Sequence, residues 1–137
     1  MSVGKLTVEL LEANIRHDSD VFAKMDPYVR FKSREFEWKS EVCKKGGKKP
    51  TWHNQKFTID VKYIGDDLEY TIFDDDVGKD EKLGDGEQKL SAFTCLKDWD
   101  EWFEIEHKGK KAGKIHLRTH WEPENAAHED HDEMKEL

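Results

Sequence analysis

Leu6, Val8 and Leu10 alternate with Thr7 and Glu9 near the head of the chain, and the same two-residue period returns in one short segment after another. Such alternation marks strands with one apolar and one polar face. It predicts eight of them: KLTVELLEA (5–13), PYVRFK (27–32), EFEWKSEV (35–42), QKFTIDV (55–61), LEYTIFD (68–74), GEQKLS (86–91), EWFEIEH (101–107) and GKIHLRTHW (113–121), separated by Gly, Pro, Asp and Lys clusters. No segment carries a sustained helical stripe, and AFTCLKDWDEW amounts at most to a short turn or helix before a strand. Each apolar face needs a partner, so eight amphipathic strands predict an all-β, antiparallel sandwich of two sheets. Phe57, Phe73, Trp102 and Trp121 fall on strands and are expected in its core.

If consecutive strands run up and down, the turns after the first, third and fifth lie at one end. That end collects residues 14–26, 44–52 and 74–84. It therefore unites two acidic clusters, HDSDVFAKMDPYV (17–29) and IFDDDVGKDEKLG (72–84), with the basic run KKGGKKP.

Composition narrows the class. The chain has 137 residues, 35% of them hydrophobic, and no apolar run nears the roughly 18 residues of a membrane span, so one soluble domain is expected. MSVGKLTVEL has no charged lead followed by an apolar stretch, and Ser2 stands where myristoylation needs glycine. Two cysteines, Cys43 and Cys95, without CxxC spacing argue against a disulfide framework or zinc site and for a cytoplasmic setting. Residues 122–137 hold seven acids against one base, which accounts for −6 of the formal net charge of −8. That segment is too polar to offset its ordering entropy, so the expected organisation is a domain over 1–121 and an acidic, disordered tail over 122–137.

Carboxylates pressed together from two distant loops repel: unit charges ~4 Å apart cost roughly 4 kcal/mol at an effective dielectric of about 20. A cation relieves that repulsion, and an all-oxygen donor set on mobile loops suits Ca2+, which accepts flexible coordination, better than Mg2+ or Zn2+. The segment DDDVGKDEKLGD fails as an EF-hand, since Lys79 stands where the glycine belongs and Asp85 where a bidentate glutamate belongs.

LTVELLEANIRHDSDVFAKMDPYVRF, KSEVCKKGGKKPTWHNQKF and LEYTIFDDDVGKDEKLGD, taken in order, resemble the C2 domain, a calcium-dependent phospholipid-binding module, over about residues 4–121. The resemblance implies a C2-type sandwich. Because the chain opens on the strand before the first acidic loop and closes on GKIHLRTHW, it also implies the permuted, type II connectivity. It further implies metal ligands at Asp20 and Asp26 in the first loop, at Asp74 and Asp76 in the third, and at a fifth acid that is either Asp80 or Glu81. Asp18 and Asp75 are extra acids that tune the field.

The function implied is calcium-dependent binding to anionic, phosphatidylserine-like membranes by a monomeric cytoplasmic adaptor that is reversibly peripheral to them. Val21, Phe22 and Val77 are apolar residues set among charges at loop tips, and with Lys44, Lys45, Lys48 and Lys49 they form the expected membrane contact. Glu35, Glu37 and Glu41 interrupt the bases that a phosphoinositide groove would need. The alternative is a calcium-independent protein-interaction or structural module of the same fold, with a protein partner. No nucleophile and base pair in a catalytic spacing, so no enzymatic role is expected. The sequence pI of about 5.4 disfavours nucleic acid.

Overall fold

In a computed structural model that describes residues 3–16 and 24–124, the alternating segments become eight antiparallel strands. They are β1 (Gly4–Ile15), β2 (Pro27–Ser33), β3 (Phe36–Lys39), β4 (Thr51–Val61), β5 (Asp67–Asp74), β6 (Glu81–Lys89), β7 (Asp98–His107) and β8 (Lys110–Pro123). Their order is β3-β2-β5-β6-β7-β8-β1-β4. The ladder folds into two layers at the β6–β7 seam, where the one registered pair is Asp85 with Glu106. The last strand therefore lies between β7 and β1.

β1 illustrates how sequence sets the core. Leu6, Val8 and Leu10 point inward; a bulge between Leu10 and Glu12 then shifts the parity, so Ala13 and Ile15 are the next buried positions. Val29 and Phe31 of β2, Leu68, Tyr70 and Ile72 of β5, and Ile115 and Leu117 of β8 are buried against them. On the side away from the seam, the Phe57 ring closes the edge, with centroids 4.9 Å from Trp38, 5.0 Å from Phe31 and 5.3 Å from Phe36.

Several boundaries differ from the alternation pattern. β6 starts at Glu81, before the predicted Gly86, because glycines replace apolar residues where backbone and rings come close. A Cβ on Gly86 would lie 2.6 Å from the Tyr70 ring, and one on Gly84 3.0 Å from Ile105. β3 ends at Lys39, and the Ser40 hydroxyl then accepts the Val29 N–H at 2.9 Å in place of a ladder bond. β4 begins at Thr51, and Leu90–Phe93 form a 3-10 turn after β6. β8 runs through Glu122 and Pro123, two residues assigned to the tail; residues 125–137 lie outside those described.

Phe57 and Trp121 are in the core, but Phe73 and Trp102 are not. With Ile72 and Phe103 facing inward, their neighbours must face outward. Phe73 stacks on Tyr28 under the Arg30 guanidinium, and Trp102 stacks on His116.

The outer face of the β7-β8-β1-β4 layer is a lattice of ion pairs, most of them across strands. Lys5 meets Asp60 at 2.7 Å and Arg118 meets Glu9 at 3.0 Å. His116 lies between Glu12 (2.9 Å) and Asp100 (2.5 Å), and His120 between Asp98 (2.7 Å) and Glu122 (3.0 Å).

Candidate metal centre at the loop end

The loops after β1, β3 and β5 meet at one end. The Ile15 N–H donates to Lys48 O at 2.8 Å, the Gly47 N–H to Met25 O at 3.0 Å, and the Asp75 N–H to Asp26 O at 3.0 Å. These bonds tie the exit of β1, the lysine loop and the third acidic loop into one backbone network.

Register places the acids. Asp74, the last residue of β5, faces Pro27 on one side and Glu81 on the other. Chain reversal through 75–80, helped by Gly78 at φ 94°, returns Asp76 to the same point. Asp74, Asp76 and Glu81 offer carboxylate oxygens that all lie within 4.8 Å of one another. Asp74 is the buried member, 6% exposed. Its Oδ1 accepts the Asp26 N–H at 2.9 Å, and Asp26 Oδ1 accepts the Lys45 N–H at 2.6 Å, so Asp26 is tied to Asp74 by its backbone while its carboxylate stands outside the cluster of three.

Asp80 does something different from Glu81. Its Oδ1 accepts the Asp76 N–H at 3.1 Å and its Oδ2 accepts the Tyr28 hydroxyl at 2.5 Å. Both oxygens are thus engaged in bracing the loop. Burial and the Asp80 hydrogen bond push the Tyr28 hydroxyl up to about 12, so it remains a donor across the physiological range. Alternation gives no sign of this brace, because it depends on Tyr28 facing the third loop from the outer side of β2.

The three converging groups are all carboxylates, without histidine or cysteine, which fits a hard cation with flexible oxygen coordination such as calcium. Val77 stands fully exposed at the tip of its loop, and Lys44, Lys45, Lys48 and Lys49 lie on the exposed surface of the neighbouring one. Lys45 and Gly47 take positive φ, 57° and 64°, to make that tight excursion. The other expected site residues, Asp20, Val21 and Phe22, lie outside the described residues, as does Asp18. A fourth connection also reaches this end: β8 pairs antiparallel with β1, Ile15 facing Gly113, so the turn at Lys108 and Gly109 projects beside the three loops. Extending the up-and-down parity to the seventh strand is the signal that locates it.

Residues 4–105 match the family model described as C2 domain. Extended synaptotagmin-3 of Mus musculus is 32% identical over 123 residues, which cover 86% of this chain and 13% of that protein. The chain thus spans a small part of the curated relatives it matches. Among solved structures, a single C2 domain of plant extended synaptotagmin 1 superposes with a TM-score of 0.77 at 25% identity, covering 90% of this chain and 97% of the other. The calcium-bound pair of C2 domains from extended synaptotagmin 2 gives 0.75 at 30% identity, covering 88% and 46%. With the eight-stranded sandwich, the family match over residues 4–105 establishes that the chain belongs to the C2 domain family.

Proposed function

We propose that this C2 domain binds anionic phospholipid membranes when calcium occupies the loop end, as a non-catalytic module that is cytoplasmic and reversibly peripheral. The observation that carries the reading is the convergence of Asp74, Asp76 and Glu81 beside the lysine loop, reinforced by likeness to a calcium-bound extended synaptotagmin 2 structure. Asp20 and Asp26 complete the ligand set from the first loop. Between the two candidates for the fifth ligand, Glu81 is preferred, because its carboxylate converges with those of Asp74 and Asp76, while Asp80 holds the Asp76 N–H and the Tyr28 hydroxyl.

Bound calcium supplies positive charge where the carboxylates otherwise repel anionic lipid. The chain's residues do the rest. Asp80 and Tyr28 hold Asp76 toward Asp74, and the Asp26 N–H orients the Asp74 carboxylate. Val77, with Val21 and Phe22, enters the headgroup region, while Lys44, Lys45, Lys48 and Lys49 contribute about 1 kcal/mol each where they meet anionic lipid. Nearby positive charge works only after the acidic field is cancelled, which makes docking conditional on the metal.

Sedimentation with vesicles of phosphatidylcholine, with and without phosphatidylserine, in calcium or chelator, tests this directly. The expected result is pelleting only with both phosphatidylserine and calcium. Equal partitioning in calcium and chelator would favour a calcium-independent interaction module.

A further inference from the structure

At the same end of the sandwich as the metal centre, between the exit of β1 and the start of β8, lies a recess of about 350 Å³ lined by Asn14, Arg16, Glu104, Lys111, Gly113 and Lys114. We propose that it is a second lipid site, selective for the phosphomonoester headgroup of an anionic lipid. The inference deepens the membrane-docking reading and rests on it.

Backbone register fixes the lining. Asn14 and Glu104 are the Cα partners of Lys114 on its two sides, and the Arg16 N–H donates to Ala112 O at 2.9 Å. Gly113 forms a bare floor. At φ 128°, with a Cβ that would fall 2.0 Å from Asn14 O, no side chain can replace it. The cations therefore rise around backbone instead of filling the space themselves.

Among the described lining residues, three cations, Arg16, Lys111 and Lys114, face one carboxylate, Glu104. Lys111 Nζ is a loose 3.8 Å from Glu104, and Lys114 Nζ sits 5.0 Å from the Trp102 ring centroid, which holds it at the wall without cancelling its charge. The surplus of two positive charges complements a phosphomonoester, which carries about −1.5 to −2 at pH 7. Arg16 adds a planar fork that can grip two phosphate oxygens at once. A serine headgroup is a poorer match, since its phosphodiester carries one charge and its ammonium would face the three cations. Space is ample for a phosphate and several waters of about 30 Å³ each.

Position also favours a membrane ligand. The turn through Lys108 (φ 52°) and Gly109 (φ 79°) has the primed geometry of a two-residue hairpin and carries exposed Lys108 and Lys110 past the recess at the loop end. The lysine loop flanks β1 on the opposite side, through the bond from Ile15 to Lys48. A headgroup in the recess would thus be reached by the same approach that brings Val77 to the bilayer.

The experiment compares vesicles of phosphatidylcholine carrying phosphatidylserine or phosphatidate at matched surface charge, in calcium and in chelator. Arg16→Gln/Lys111→Gln/Lys114→Gln is set against a charge control, Lys56→Gln/Lys62→Gln/Lys97→Gln, with circular dichroism checking the fold. Wild type and charge control are expected to prefer phosphatidate by about tenfold, and the triple variant to lose that preference while keeping calcium-dependent phosphatidylserine binding. If the triple variant does not fold, Lys111→Gln alone is expected to cut the preference by about fivefold. No preference in wild type, or an equal loss in the charge control, overturns the site. Inorganic phosphate that shifts the Arg16 and Gly113 amides without any vesicle preference also overturns it, in favour of a free-phosphate site. Phosphatidate preference that persists in chelator, with phosphatidylserine binding insensitive to calcium, sinks the calcium reading and leaves the recess standing.

Discussion

Two surfaces of this domain gather carboxylates, and they hold them by opposite means. On the outer face of the β7-β8-β1-β4 layer, each acid meets a cation or an imidazole across the strands: Asp60 meets Lys5, Glu9 meets Arg118, and Glu12 and Asp100 bracket His116. At the loop end, Asp26, Asp74 and Asp80 are held by backbone N–H groups and a tyrosine hydroxyl. The first arrangement neutralises charge within the fold. The second fixes the direction of Asp26, Asp74 and Asp80 with neutral donors, which orient a carboxylate without cancelling its charge, as a site for an exogenous cation requires.

The largest expected effect breaks the contrast at its centre. Saturating calcium, at about a hundredfold over its Kd, should add about 2.7 kcal/mol of stability, which for a domain of this size raises the melting temperature by roughly 10 °C. Asp20→Asn with Asp74→Asn should abolish that rise and leave the calcium-free protein as stable as before or more so, since asparagine still offers Asp26 an acceptor. Differential scanning calorimetry with and without calcium reads both terms; an undiminished rise in the double variant would contradict the assignment.

Next in size is the brace. Tyr28→Phe removes the hydroxyl that holds Asp80, and a hydrogen bond to a charged acceptor is worth about 1.5–3 kcal/mol; about 1 kcal/mol of that loss passed to the metal site lowers calcium affinity by about fivefold. Isothermal titration measures it. Glu81→Gln should weaken binding more than Asp80→Asn does; the reverse order would make Asp80 the ligand and Glu81 the support.

The outer face should respond to pH instead of metal. Burial depresses the His116 imidazolium, but Asp100 and Glu12 together outweigh it and leave the pKa above its ordinary value. The Asp98 and Glu122 hydrogen bonds raise that of His120. Both histidines favour the protonated folded state, so their contribution is full below the ordinary histidine value near 6.5 and fades as pH climbs through the raised folded value. The calcium-free melting temperature should therefore drop modestly from about pH 6 to about pH 8, and His116→Gln should flatten the slope. Smallest of all, Arg118→Gln should lower the melting temperature slightly and leave calcium binding unchanged, because an exposed ion pair contributes little.

Much of this architecture is legible in the sequence wherever burial leaves a two-residue trace. β2 and β5 follow their alternation closely, β1 does so as far as its bulge after Leu10, and the meeting of two acidic loops follows from parity. The trace fails where packing demands smallness instead of bulk. Gly84 and Gly86 make room for Ile105 and Tyr70, so the start of β6 carries no apolar beat, and Glu81 is found on a strand instead of in a loop. Phe73 and Trp102 fail in the other direction: hydrophobic by type, they face outward and stack on Tyr28 and His116. The division of labour between Asp80 and Glu81 rests on one tyrosine hydroxyl, a relation between residues 52 positions apart.

The place of β8 bears on how the molecule comes to exist. β1 lies between β4 and β8, and its pairing with β8 joins Gly4 to Pro123. Half of the backbone partners of the first strand are therefore absent until the last strand has been synthesised. Contacts so remote along the chain incur their loop-closure entropy before any stabilisation is returned, which places folding in the millisecond-to-second regime of non-local β proteins. On the ribosome, β1 would wait as an open edge until β8 emerges, and that emergence would be the event that closes it.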